Sequence, residues 1–128
     1  MIKEAYVSFE VAKLLKEKGF DEECYQIYDD EGYLSFNHVG YINSEKPNED
    51  FYALAPTHQM AMAWLREEKN IFIVIEPHAY DYINEKNKSY TCSLWVGDNY
   101  YEYIESRDYP SYEEAVEVAL KYVLEKLI

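Results

Sequence analysis

The residues best suited to chemistry are the histidines and the carboxylates nearest to them. Glu76 and His78 lie two positions apart in an extended segment, so their side chains share one face of a predicted strand. A metal ion would need at least one more ligand there, which His38 on another predicted strand could supply. Nothing in the spacing brings His38 to that face, so we predict no metal site and expect the three histidines to be exposed or half buried. A small-enzyme hypothesis stays open, because a pocket lined by these three residues would revive it.

Other catalytic patterns are missing from the sequence. There is no Gly-x-Ser-x-Gly nucleophile elbow, and the four glycines stand singly, so they form no phosphate-binding loop. Cys24 and Cys92 have no second cysteine or histidine at ligand spacing, which predicts two buried, reduced thiols. The sequence therefore favours a protein without catalytic residues or cofactors.

The aromatic residues give the positive indication of a function. The chain has 15 tyrosines, and Tyr101 and Tyr103 alternate on one face of a predicted strand. Trp95 lies on the hairpin partner of that strand and could reach the same face. Cross-strand packing against a helix is one interpretation. A second is an exposed patch of these three residues that anchors a protein partner, because Tyr and Trp are enriched at such anchors. A third is stacking on nucleobases, against which the missing basic groove counts.

The net charge limits the partners. Twenty-five acids against 12 Lys and Arg give a charge of -13 at pH 7, spread along the whole chain. Phosphate contacts need Lys and Arg, so we predict binding neither to nucleic acid nor to a membrane surface. A narrower hypothesis is that rows of carboxylates mimic nucleic acid and inhibit a DNA-binding host enzyme. No apolar run reaches the ~20 residues of a membrane span, and no signal-peptide core is visible, which predicts a cytoplasmic protein.

Capping residues and apolar periodicity predict three helices. Ser8 begins the first, and Gly19 ends it at the left-handed position that closes many helices. Thr57 is the expected N-cap of the second. Ser111 and Glu114 have the spacing of a capping box at the start of the third.

Five segments alternate or are β-branched and are predicted to be strands: residues 24–28, 33–39, 71–75, 90–96 and 100–105. The run 71–75 is apolar on both faces, which predicts a central strand, and Pro77 is expected to end it. A three-residue loop, 97–99, is predicted to join the last two strands.

The order α-β-β-α-β-β-β-α predicts a single α+β domain, residues 1–128, with helices packed on a mostly antiparallel sheet. Residues 40–50 are polar and without period, so they form the best internal boundary. They would divide the chain into an αββ unit, 1–50, and an αβββα unit, 51–128.

Three stretches together resemble a family of small uncharacterised bacterial proteins carried in prophages and other mobile elements. They are VSFEVAKLL at residues 7–15 with GF at 19–20, APT at 55–57 followed by AWLRE at 63–67, and SYEEA at 111–115 leading into AL at 119–120. The last third is also similar to phage α-β-α sandwich domains. The resemblance implies a fold and a mobile-element origin, and it carries over no catalytic residue.

Residues 57–127 are also similar in element order to a double-stranded-RNA-binding domain. That family has lysines at the start of its last helix to hold phosphates, whereas Glu113 and Glu114 stand there in this chain. We therefore expect an accessory protein that binds another, unidentified protein. A homodimer through the aromatic face or through the helix bearing Met60 and Trp64 stays open.

Overall fold

The structure is a computed structural model that describes residues 2–79, 88–101 and 108–128, and at residues 78, 79, 88 and 101 it describes the backbone alone. The helices are α1 (Phe9–Glu17), α2 (His58–Lys69) and α3 (Tyr112–Lys126). The strands are β1 (Cys24–Tyr28), β2 (Leu34–Tyr41), β3 (Ala53–Leu54), β4 (Ile71–Ala79), β5 (Lys88–Val96) and β6 (Asn99–Tyr101). They form two antiparallel sheets, in the orders β2-β1-β3 and β4-β5-β6, which confirms the α+β class.

Helix α1 begins and ends where the sequence predicts. The Ser8 hydroxyl accepts a hydrogen bond from the Val11 amide at 3.2 Å. At the other end, the Phe20 amide donates to the Leu15 carbonyl and the Gly19 amide to the Lys16 carbonyl. This pair of bonds is a Schellman motif, and Gly19 supplies the positive φ, +92°, that the motif requires.

The other two helices also begin at the predicted caps. The Thr57 hydroxyl accepts from the Met60 amide, and the Ser111 hydroxyl accepts from the Glu114 amide, both at 3.1 Å. Helix α2 ends at Asn70 in the left-handed conformation. The starts and ends of the helices are therefore determined by side chains within a few residues of each terminus.

The first sheet contains a strand that the sequence analysis missed. Ala53 and Leu54 form β3 and pair with Tyr28 and Ile27 of β1. Two residues are too few to show a period, so no pattern could reveal this strand. The described order is consequently α-β-β-β-α-β-β-β-α, with one strand more than predicted.

The predicted loop 40–50 is partly structured and is bonded to both of its neighbours. Strand β2 extends to Tyr41. The Asn43 side chain donates to the Phe20 carbonyl at 2.8 Å and accepts from the Leu54 amide at 3.0 Å. Asn43 thereby joins the end of α1 to β3 through a single amide group.

The second sheet corrects two predictions about residues 71–77. Among the described strands β4 pairs with β5 alone, so it is an edge strand and not a central one. Pro77 does not end it, because pairing continues to Ala79, which lies opposite Lys88. Proline is tolerated on an edge strand where its nitrogen faces away from the neighbouring strand.

Buried side chains from all three helices and both sheets form one apolar core. Helix α3 contributes a continuous stripe of six buried residues: Ala115, Val116, Ala119, Leu120, Val123 and Leu124. It packs against α1 and α2 as well as against β4 and β5. Helix α3 therefore contacts the second sheet and both of the other helices. No helix among the described residues is long and apolar enough to cross a membrane.

We expect Asn43→Ala to lower the free energy of unfolding by about 1–3 kcal/mol, because a backbone carbonyl and a backbone amide lose their partner. Asn37→Ala is the matched control, since the Asn37 side-chain amide donates to the hydroxyl of the exposed Ser35. The control should change stability by less than about 0.5 kcal/mol. Urea denaturation measures both, and equal midpoints for the two variants would contradict the role of Asn43.

Candidate protein interface

Three large aromatic side chains lie in one row across the second sheet. Phe72 of β4 is paired with Trp95 of β5, and Trp95 is paired with Tyr100 of β6. Directly paired residues share a face, and these three are exposed by 40%, 43% and 47%. The Trp95 and Tyr100 rings are in contact, with centroids 4.8 Å apart. We call Phe72, Trp95 and Tyr100 the aromatic face.

The sequence analysis grouped Trp95 with Tyr101 and Tyr103. Backbone pairing places Tyr101 opposite Leu94, and its side chain lies outside the described residues, as does the whole of Tyr103. The difference from the predicted pairing arises at the turn between β5 and β6. Val96 pairs with Asn99, so this turn has two residues and not three. The predicted three-residue loop would have placed Tyr101 opposite Trp95. A one-residue change in register moves every following side chain to the other face of the sheet.

The environment of the aromatic face is acidic. Glu76 lies four residues after Phe72 on β4, so the two side chains share a face, and Glu76 is exposed. Asp98 is exposed in the turn between β5 and β6. Thr91 and Ser93 lie on the same side of β5 as Trp95 and are buried. The face therefore offers an apolar region with carboxylates beside it.

A second exposed apolar surface lies on edge strand β2. Phe36 and Val39 are both more than half exposed, and the strand has no charged residue and no proline. Such an edge can pair with another chain, but here the β1–β2 register shifts between Cys24 and Gln26. Irregularities of this kind distort an edge and oppose regular strand addition.

A buried polar pair joins the three helices. His58 is only 5% exposed, and its Nε2 lies 2.8 Å from Oε1 of Glu117. The same oxygen accepts a hydrogen bond from the Ser8 amide at 2.9 Å. The expectation that the histidines are exposed or half buried is wrong for His58. His58 and Glu117 are 59 positions apart in the sequence, so no local pattern predicts their contact.

The contacts of Glu117 determine its charge. Burial raises the pKa of this carboxyl, but the hydrogen bonds from His58 and Ser8 outweigh burial and hold the pKa below its usual value. A carboxylate that orients an imidazole is found in many catalytic bases. Glu117 also accepts hydrogen bonds from the backbone amide and the side chain of Ser8. The pair therefore ties the starts of α1 and α2 to α3.

A cavity of about 220 Å³ lies beside this pair. Its lining comes from the N-terminal segment and from the first turns of α2 and α3: Ile2, Lys3, Glu4, Ala5, Thr57, His58, Gln59, Tyr112 and Glu113. The His58 amide also donates to the Ala5 carbonyl at 2.9 Å, which ties the N-terminal segment to α2. The cavity is thus a part of the same junction.

The remaining candidate residues are distributed over both sheets. His38 is exposed on β2, whereas Glu76 and His78 belong to β4. Across residues 2–79, 88–101 and 108–128, no three His, Cys, Asp or Glu side chains lie together as a metal ion requires.

Both cysteines are buried, as predicted. The Cys92 thiol donates to the Ala115 carbonyl at 3.0 Å. Burial, together with Glu22 and Glu23, raises the pKa of Cys24 to about 11. Its thiol stays protonated near neutral pH, which removes nucleophilic reactivity.

Comparison of the chain with protein-family models, with curated proteins and with solved structures finds no match. The relationship to prophage proteins, to phage sandwich domains or to RNA-binding domains therefore stays a prediction.

We expect Glu117→Gln to remove part of the acid sensitivity of the fold. The pKa of Glu117 is lower in the folded chain than in the unfolded chain. As the pH falls, the carboxylate is therefore protonated in the unfolded chain before it is protonated in the folded one. The stability that Glu117 contributes is lost as the pH falls below the pKa of the unfolded chain. The variant should be less stable than the wild type at pH 7, and the difference should shrink on acidification toward about pH 3. Urea unfolding across this range measures it.

Glu125→Gln is the control, since Glu125 is exposed on the same helix. Its stability difference from the wild type should be small at every pH. A pH-independent difference for Glu117→Gln would contradict the assigned role of the Glu117 charge.

Proposed function

We propose that this protein is a non-enzymatic accessory protein that binds another protein through the aromatic face. The observation that carries the proposal is the cross-strand row of Phe72, Trp95 and Tyr100, each exposed by 40–47%. Contiguous exposed aromatic side chains mark interaction sites, and Trp and Tyr are the residues most often found at binding hot spots.

The geometry of the Trp95 and Tyr100 rings supports binding further. Their rings already contact each other in the unbound chain, and both residues lie in paired strands. A preorganised anchor loses less side-chain entropy when a partner docks. On β2, by contrast, the Phe36 ring packs edge-on against Tyr6, and the strand pairing is irregular.

The charge of the surface defines the partner. Glu76 and Asp98 lie near the aromatic face, and the whole chain carries -13. A second copy of this chain would bring the same charges against them, which opposes association. The proposed partner is a different protein, with an apolar pocket for Trp95 and Lys or Arg around it.

Origin and location are further parts of the proposal. The stretches at residues 7–20, 55–67 and 111–120 support a prophage or mobile-element origin through their resemblance to such proteins. The presence of Cys24 and Cys92 as buried thiols, and not as a disulfide, supports the reducing cytoplasm.

The test compares Trp95→Ala with Phe36→Ala, which removes an exposed aromatic side chain from the other sheet. The immobilised wild-type chain is first used to isolate a partner, which is then purified and titrated against each variant. We expect Trp95→Ala to weaken binding about 30-fold, the loss typical of a hot-spot aromatic residue, and Phe36→Ala to leave it unchanged.

Thermal unfolding of both variants controls for loss of structure. Raising the salt concentration should weaken binding further, because it screens the basic rim of the partner from the acidic surface. Equal binding by the wild type and Trp95→Ala would exclude the aromatic face. Loss confined to Phe36→Ala would assign binding to β2 instead.

A further inference from the structure

An apolar groove with an aromatic floor lies on the outer side of α2, apart from the residues of the aromatic face. The cavity has a volume of about 180 Å³. Met60, Ala63 and Trp64 form its apolar floor, where Met60 is 38% exposed and Trp64 8%. We call this cavity the α2 groove.

The floor of the α2 groove is rigidly supported from inside. The Phe20 ring is fully buried and meets Trp64 edge-on, with centroids 5.5 Å apart and an interplanar angle of 77°. The Cys24 sulfur lies 3.8 Å from the Met60 sulfur. These contacts come from outside α2, so the groove is formed before any ligand arrives.

The rim of the groove is acidic. It consists of Glu22, from the segment before β1, and Glu67 and Glu68 of α2, all exposed. Three carboxylates around one small cavity repel one another, and a cation at the rim would relieve that repulsion.

The Trp64 indole already makes one cation–π contact, outside the cavity. Lys69 places its ammonium group 5.5 Å from the centroid of the Trp64 ring, within the range of a cation–π contact. Lys69 does not line the cavity, so the groove itself is open. The indole can therefore attract a positive group from outside the chain as well.

We infer that the α2 groove binds a basic side chain of a partner protein, arginine in preference to lysine. The aliphatic part of the side chain would lie on Met60 and Trp64, and its charged head would meet the carboxylates of Glu22, Glu67 and Glu68. A guanidinium is planar, weakly hydrated and suited to stacking on indole and to bonding carboxylates, which favours arginine.

The chemistry of the groove excludes the other simple occupants. A bare metal ion would gain nothing from an apolar floor. A symmetric contact between two copies, as the Met60 and Trp64 helix had suggested, would oppose two sets of three carboxylates. The inference shares with the proposed function only the assumption that the partner is a protein, and it uses different residues.

The test uses Trp64 as its own reporter. The chain has two tryptophans, so Trp95→Phe leaves Trp64 as the sole indole and also alters the aromatic face. Three blocked tripeptides are titrated into this variant: acetyl-Ala-Arg-Ala-amide, its lysine analogue and its uncharged norleucine analogue. We expect a saturable change in Trp64 fluorescence with arginine, half complete on the order of 1 mM, weaker with lysine and absent with norleucine.

Variants of the rim separate a specific site from general charge attraction. Glu67→Gln and Glu68→Gln should each weaken arginine binding by about two- to fivefold. Glu125→Gln changes the net charge by the same amount on an exposed part of α3 and should have no effect. Near-ultraviolet circular dichroism verifies that each variant keeps its fold.

Several outcomes would overturn the inference. They are an equal response to the norleucine peptide, equal weakening by Glu125→Gln, no fluorescence change at all, or self-association in light scattering that Met60→Ala abolishes. Since the test runs in the Trp95→Phe background, it succeeds or fails independently of the aromatic face.

Discussion

The architecture depends on one carboxylate placed where three helices meet. Oε1 of Glu117 accepts from the amide of Ser8 at the start of α1 and lies 2.8 Å from the ring of His58 at the start of α2. The amino ends of helices carry partial positive charge, so a carboxylate there is stabilising. A partly buried charge left without partners would be costly, which makes the relative positions of α1, α2 and α3 interdependent. The contacts join residues 109 and 59 positions apart, so this junction forms only when the last helix has docked.

The helix junction around Glu117 and the apolar core leave the outer sides of the sheets exposed to solvent. The helices cover the inner sides of the sheets with the apolar stripe of α3 and the buried residues of α1 and α2. Antiparallel sheets commonly keep one face in solvent. In this chain that arrangement exposes Phe72, Trp95 and Tyr100 on the second sheet, where a polar surface would be the usual result.

The aromatic face and the α2 groove have the same chemical character. Each combines an apolar contact area with nearby carboxylates: Glu76 and Asp98 in one case, and Glu22, Glu67 and Glu68 in the other. Apolar contacts supply most of the affinity, whereas complementary charge contributes to the association rate and to specificity. A charge of -13 repels acidic surfaces and attracts basic ones.

The sequence by itself determined the features that act over a few residues. Ser8, Thr57 and Ser111 cap the three helices because each hydroxyl reaches an amide three positions away. Gly19 ends α1 because its own backbone adopts the positive φ that the end of the helix requires. Burial of both cysteines and the α+β class followed from composition and alternation. These predictions succeeded because the relevant energies depend on neighbouring residues alone.

The tertiary structure decided whatever depends on distant segments. The length of the turn after Val96 set which tyrosine lies across from Trp95, and β3 exists only because β1 provides a partner for two residues. β4 is an edge strand because no described strand pairs with its other side, which no apolar run can reveal. His58 and Glu117 are ordinary polar residues in the sequence. They become the junction of the fold because packing of the apolar core brings them within 2.8 Å and buries most of both side chains.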